Sequence, residues 1–149
     1  MLYTIRDAAA HVGIAASTLR YYDKEGLLPF VERSSGGIRM FGEADIDWLQ
    51  LIECLKATGM SIKDIKKFID LYMEGDSTLE PRRDMFYERK QAVEKQMEAL
   101  QKTLDFIKYK CWFYDTSVAA GSSDIHKSMK QEDIPEEIQE MKLNAGIAK

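Results

Sequence analysis

Apolar residues recur at a 3–4 spacing over most of the chain and alternate over one short stretch near residues 30–41, which predicts helices broken by a single hairpin. Tyr3-Thr4-Ile5 opens a first helix, with Thr4 and Asp7 spaced as an acidic capping box and Gly13 placed to stop it. Ala8, Ala9 and Val12 form its small apolar face. A second helix is expected from Ala16 to Glu25, with Leu19 and Tyr22 on one face and Gly26 at its end. Two short helices joined by a turn of about four residues is the helix-turn-helix pattern, although any pair of packed helices fits it equally. Arg20 beside Tyr21 and Tyr22 gives the second helix the look of an element that lies in a nucleic-acid groove. Pro29 forbids more helix. Phe30–Arg33 and Ile38–Phe41 then alternate around Ser34-Ser35-Gly36-Gly37, which reads as a β-hairpin with a flexible tip. Arg33 and Arg39 flank that tip and suit a wing that touches phosphates; two solvated arginines on an exposed hairpin is the plainer alternative.

A third helix is expected over 43–58, its core stripe carried by Trp48, Leu49, Ile52 and Leu55, with Asp45 at its start and Gly59 after it. Ser61 and Asp64 form a second acidic cap and open a fourth helix, in which Ile62, Ile65, Phe68, Ile69 and Tyr72 face inward and Lys63, Lys66 and Lys67 outward. Beyond Gly75 the period changes. Leu79, Phe86, Val93, Leu100, Ile107 and Tyr114 recur every seven residues, with Met97, Leu104 and Cys111 between them. Pro81 must lie in the first turn of this helix. A helix of 40 residues would be on the order of 60 Å long, and its apolar seam needs a partner. Dimerisation through Val93, Met97, Leu100, Leu104, Ile107 and Cys111 is therefore expected. The alternative, a helical hairpin within one chain, lacks a second helix of comparable length. Ala119 to Ser123 forms a break, and the tail carries Ile134, Ile138 and Met141 at helical spacing after Pro135, either docked as a short helix or mobile. The organisation expected is residues 1–75 as a DNA-binding head, 76–118 as a long dimerisation helix and 119–149 as a tail.

Composition changes this picture in one respect. The 149 residues carry a net charge of −4, which taken alone argues against nucleic acid. Over residues 1–42, however, five basic side chains stand against four acidic ones, so the acidity lies mostly downstream. No apolar run is long enough to span a membrane and the N-terminus lacks the layout of a signal peptide, so a cytoplasmic protein is expected. Cys54 and Cys111 fit no zinc-finger spacing and should be thiols in a reducing compartment. No catalytic constellation appears, and neither His11 nor His126 has a carboxylate partner by motif, so an enzyme is not expected, nor a cofactor.

Taken jointly, the motifs resemble the MerR family of bacterial transcription regulators. The resemblance rests on Tyr3-Thr4-Ile5, Thr18-Leu19-Arg20-Tyr21-Tyr22, Gly26-Leu27-Leu28, the wing residues Arg33, Gly37, Arg39 and Phe41, and Asp45, Leu49, Ile52, Leu55, Gly59-Met60-Ser61 and Ile65. It implies a mostly α fold: a winged helix-turn-helix head and a long helix that forms an antiparallel coiled coil in a homodimer. It also implies double-stranded promoter DNA as partner, with RNA polymerase acting at the same promoter, and control by bending and untwisting an overlong spacer. Thr18, Arg20 and Tyr21 would contact DNA from the second helix, Arg33 and Arg39 from the wing, and Lys66 or Lys67 from the fourth helix. A coiled-coil adaptor whose head binds protein is the competing reading. Two departures stand out: the family's usual Ser-Pro at the start of the second helix is Ala15-Ala16 here, and its wing tyrosine is Phe41.

The sensing chemistry falls on Cys54. Metal-sensing relatives carry a cysteine at the start of the long helix and a cysteine-bearing loop after it; this chain has neither. An iron–sulfur sensor needs about four thiolates. On a wheel of about 100° per residue, Cys54 lies with Asp47 and Gln50, away from Trp48, Ile52 and Leu55. It should face solvent or a partner's long helix. Cys54-Leu55-Lys56-Ala57-Thr58-Gly59-Met60-Ser61 is similar to the motif of the family members that answer to aldehydes and other thiol-reactive stress, which implies effector sensing at Cys54. An inert thiol at the dimer contact is the alternative.

Overall fold

The computed structural model describes residues 1–147, which are mostly helical, and they divide into two compact units, 1–90 and the described residues from 91 onward. In the first unit, α1 (Ile5–Val12) starts at a reciprocal cap. The Asp7 N–H donates to Thr4 Oγ1 and the Thr4 N–H to Asp7 Oδ2, both at 3.3 Å. Gly13 ends it at φ 79°, in the left-handed region open to glycine. Helix α2 (Ala16–Lys24) is one residue shorter than expected, and its N-cap Ala15 offers no oxygen to the first free N–H groups. It closes at Gly26, with φ 78°, where a Cβ would also stand 3.1 Å from Lys66 Cε. Helix α3 (Glu43–Ala57) is capped by Asp45, whose carboxylate accepts the Gly42 N–H at 2.8 Å. Helix α4 (Ile62–Glu74) is capped by Ser61, which accepts the Asp64 N–H at 3.1 Å.

The hairpin between α2 and α3 differs from the expectation of two paired strands. It is reduced to one bridge, Arg33 with Arg39. The cause is visible in its last residue. Phe41 pairs instead with Tyr3 from the N-terminus, exchanging two backbone hydrogen bonds of 2.8 and 3.0 Å. Ser34 and Gly37 close the tip as a turn.

Leu19, Tyr22, Leu27, Leu28, Phe41, Ile46, Leu49, Ile52, Leu55, Ile65 and Ile69 make the core of this unit. Two stripe positions come out differently from the sequence reading. Ile46, absent from the expected stripe, is buried. Tyr72, expected inward, is 43% exposed. It lies past the last buried residue of α4 and packs edge-on to Trp48 at 4.5 Å, with the Arg82 guanidinium over its ring at 5.3 Å. Trp48 itself is half-buried, stacked on Phe30 at 5.2 Å. A turn of 3-10 helix, Asp76–Thr78, leads into α5 (Leu79–Ala120), with Pro81 in its first turn as expected. Thr78 Oγ1 donates to the carbonyls of Leu71 and Gly75, and Arg82 Nη2 donates to Gly75 O at 3.2 Å, so the corner is tied by side chains.

The second unit holds the remainder of α5, then α6 (Ile125–Ser128) and α7 (Glu136–Asn144). Of the two states the sequence left open for the tail, the docked one is observed. His126 stacks on Phe113 at 3.9 Å, and its Nε2 lies 2.9 Å from Phe113 O and 3.0 Å from Thr116 Oγ1. Both hydroxyls nearby, Thr116 and Ser117, donate to carbonyls of the preceding turn, so the Nε2–H is the donor to them. From α7, Asn144 Nδ2 donates to the buried Asp105 Oδ2 at 3.4 Å, and Lys142 Nζ sits 5.8 Å from the Tyr109 ring centre. The heptad residues after Val93 are left uncovered: Met97 is 66% exposed, Leu100 70% and Ile107 51%. Among the described residues no helix is long and apolar enough to cross a membrane.

The uncapped start of α2 gives a direct test. Ala15→Ser supplies an acceptor for the free N–H groups and should stabilise the head by about 1 kcal/mol, read as a higher thermal unfolding midpoint.

Candidate nucleic-acid interface

Helix α2 buries Leu19 and Tyr22, at 0% and 1% exposure, and this fixes its rotation. At about 100° per residue, Arg20 and Tyr21 must then point away from the core. Arg20 is exposed and has no ion-pair partner among the described residues; Tyr21 is 47% exposed, and Thr18 is half-buried. Ser17, Thr18, Tyr21 and Tyr22 line a shallow cleft of about 380 Å³ whose far wall is Lys56 and Ile62. The helix therefore presents a guanidinium and a phenol on its outward side, and Tyr21 with the Ser17 and Thr18 hydroxyls borders a cleft that a lysine from α3 lines opposite.

Lys56 is the residue that reading the sequence missed. It sits in the last turn of α3, and periodicity within one helix says nothing about where that turn ends up. The turn delivers it to α2: Lys56 Nζ donates to the Tyr22 hydroxyl at 3.2 Å and lies 5.6 Å from the ring centre. The Tyr22 hydroxyl in turn donates to Glu53 Oε1. Burial, then the hydrogen bond to Glu53 and its negative charge, hold the Tyr22 phenol far above the usual tyrosine range, so it remains a neutral donor.

The wing arginines separate into two kinds. Arg33 is 56% exposed at the tip, bonded to Gly37 O at 3.1 Å and 3.6 Å from Asp23. Arg39, read from sequence as a phosphate contact, is turned inward. Its guanidinium pairs with both oxygens of Asp23 on α2 and donates to the carbonyls of Leu28 and Val31, and only 17% of its side chain is exposed. The Val31 carbonyl lies outside any helix and accepts from Arg39, and the Leu28 carbonyl, which also accepts the Val31 N–H, gains a second donor. It braces the wing against α2. On α4, Lys66 is paired with Asp70 at 2.7 Å and its stem lies over Gly26, next to the end of α2. Lys67 is exposed and lines a separate recess with Asp64, Met85, Glu88 and Arg89, so the structure does not bring the two lysines together.

Of the remaining candidates, Cys54 is exposed on α3, as its place on the wheel required. Cys111 is exposed on α5, as are Met97, Leu100, Leu104 and Ile107, with Val93 half-buried.

Comparison with known proteins bears on the head first. Residues 3–71, from Tyr3 through most of α4, match the MerR HTH family regulatory protein, and residues 46–108 match the description MerR, DNA binding. The chain is 46% identical over 136 residues to an uncharacterized HTH-type transcriptional regulator of Haemophilus influenzae, covering 91% of this chain and 98% of that protein. This chain belongs to the MerR family. Like its relatives, this MerR-family protein is a DNA-binding transcription regulator and not an enzyme. Among solved structures it is similar to HiNmlR, a MerR family regulator lacking the sensor domain, bound to promoter DNA. That likeness has a TM-score of 0.70 and 46% identity, and covers 84% of this chain and 99% of the other. It is also similar to the HTH-type transcriptional regulator AdhR of Bacillus subtilis, 38% identical over 89 residues, which cover 60% of this chain and 64% of AdhR.

Removing each wing arginine should separate the two kinds. Arg39→Ala strips the part-buried Asp23 of its closest cation, leaving only the exposed Arg33 at 3.6 Å, and takes a donor from the Leu28 and Val31 carbonyls; it should destabilise the head by about 2 kcal/mol. Arg33→Ala, at an exposed pair, should change stability by less than about 0.5 kcal/mol. Thermal unfolding of the two variants measures the difference.

Proposed function

We propose that this MerR-family regulator binds its promoter as a homodimer joined by an antiparallel coiled coil, distorts that DNA for RNA polymerase, and responds to a thiol-reactive electrophile such as an aldehyde at Cys54. The observation that carries the DNA contacts is the outward face of α2 with its cleft. Arg20 and Tyr21 are exposed on that face to base edges or phosphates, and Thr18, Tyr21 and Lys56 line the cleft. Arg33 reaches the backbone from the wing tip, and Lys66 and Lys67 contribute more distant charge. Arg39 acts through its brace on α2. Phosphate contacts fix register, and the few side chains on α2 read sequence.

The homodimer is supported by the long row of exposed apolar side chains on α5. Met97, Leu100, Leu104, Ile107 and Tyr114 are all uncovered in a single chain, and a second copy offers the matching row. Two copies hold two α2 helices at a fixed separation, which a promoter with two half-sites requires.

The effector assignment is supported by exposure and company. Cys54 is open to a small electrophile, it lies on the same helix as Glu53 and Lys56, and those two residues touch the buried side of α2. Covalent modification at Cys54 has a short physical route to the DNA-contacting helix.

Two experiments test the proposal. Arg20→Ala should weaken binding to the promoter duplex by about 1–3 kcal/mol in a gel shift while the dimer elutes unchanged; unaltered affinity would remove Arg20 from the interface. In a promoter–reporter strain, Cys54→Ala should abolish induction by formaldehyde and leave basal expression intact. A response equal to that of the native chain would sink the sensing role.

A further inference from the structure

The contacts of Lys56 go beyond adding one cation to the cleft. Lysine carries a flexible four-carbon stem, and an exposed ammonium ordinarily samples many positions, so fixing it on binding has an entropic cost. Here the ammonium is already held. Its Nζ donates to the Tyr22 hydroxyl at 3.2 Å and lies against the ring face, 5.6 Å from its centre. The hydroxyl can accept from Lys56 only if its own hydrogen points elsewhere, and that hydrogen goes to Glu53 Oε1. Tyr22 is 1% exposed, so its ring cannot swing away from this arrangement. Glu53 and Lys56 stand one turn apart on α3, the spacing at which a carboxylate and an ammonium otherwise pair directly. The phenol oxygen stands between them. It keeps Lys56 from folding onto Glu53 and leaves it on the wall of the cleft that Ser17, Thr18 and Tyr21 also line.

We infer that Tyr22 and Glu53 are positioning residues for DNA binding: Glu53 orients the Tyr22 hydroxyl, and the hydroxyl holds the Lys56 ammonium at the cleft, preset for a backbone phosphate. The inference rests on the proposed reading of the outward face of α2 and its cleft as the DNA contact surface. Tyr22 is otherwise a core residue, and its hydroxyl has no structural need of Lys56, since one bond to Glu53 already satisfies its hydrogen. The chain carboxylate, hydroxyl, ammonium polarises in one direction, and it leaves the remaining Lys56 hydrogens for a phosphate.

A double-mutant cycle on the full-length protein tests this. The probe is a fluorescein-labelled duplex of the promoter DNA adjoining the coding region, titrated by anisotropy at several KCl concentrations. Lys56→Met should weaken binding about tenfold and flatten the dependence of log K on log salt by about 0.9, the signature of one lost phosphate contact. Tyr22→Phe keeps the ring and removes only the oxygen. It should weaken binding by roughly fivefold in the native background, the size of one side-chain hydrogen bond, and have no further effect in the Lys56→Met background. Thermal unfolding of each variant records that the head remains folded. If Tyr22→Phe weakens binding equally in both backgrounds, or in neither while Lys56→Met does weaken it, the positioning role is overturned and the phosphate contact stands. If Lys56→Met binds as the native chain does with an unchanged salt slope, the phosphate contact itself is wrong, and the positioning role falls with it.

Discussion

The interface depends on one constraint: a nine-residue helix with no N-cap has to be held in a single rotation by what lies beneath it. Isolated helices shorter than about 12 residues are marginal in water, and α2 lacks even the capping hydroxyl that would help its first turn. What fixes it is burial on one side, where Leu19 and Tyr22 are almost fully removed from water, each contributing on the order of 2 kcal/mol. Two polar ties then stop the helix from rolling. Asp23 is gripped by Arg39 from the wing, and Tyr22 is bonded to Glu53 from α3. These ties come from different elements on the two sides of α2, so the outward face bearing Arg20 and Tyr21 is set by the head as a whole.

The same ties explain how an acidic chain manages an anionic partner. Several cations in the head are already engaged. Arg39 is committed to Asp23, Lys66 to Asp70, and Arg82 to the corner before α5. Arg20, Arg33 and Lys56 remain turned outward on or near α2. Neutralising few phosphates gives a modest salt slope and weak nonspecific affinity. Discrimination must then come from geometry: where these cations stand and, in the proposed homodimer, what the duplex must do to meet both copies of α2.

Much of the head was legible because local signals agreed with one another. Thr4 with Asp7 and Ser61 with Asp64 set helix starts, Gly13 and Gly26 set ends, and the inward position of Leu19 and Tyr22 follows from a 3.6-residue period. What could not be read was long-range pairing. The alternation over 30–41 is genuine, but Tyr3 competes for Phe41, and a pattern within the hairpin cannot reveal a partner about 40 residues away. Arg39 looked like Arg33 for the same reason, since nothing near it in sequence announces Asp23 as its mate. Nothing near Glu53 and Lys56 in sequence announces their contact with α2, because their partner Tyr22 belongs to another helix and reads as core.

The C-terminal half of α5 shows a related limit with a functional consequence. A heptad pattern counts apolar residues on one seam, and here it identified Met97, Leu100, Leu104 and Ile107. A second, aromatic face of the same helix, with Tyr109, Trp112 and Phe113, lies partly off that seam and is covered by the tail through His126 and Lys142. By occupying the aromatic face and satisfying the buried Asp105 through Asn144, the tail leaves one apolar face of α5 open. A helix with two sticky faces would permit several pairings between copies. Covering one of them removes the pairings that would use it.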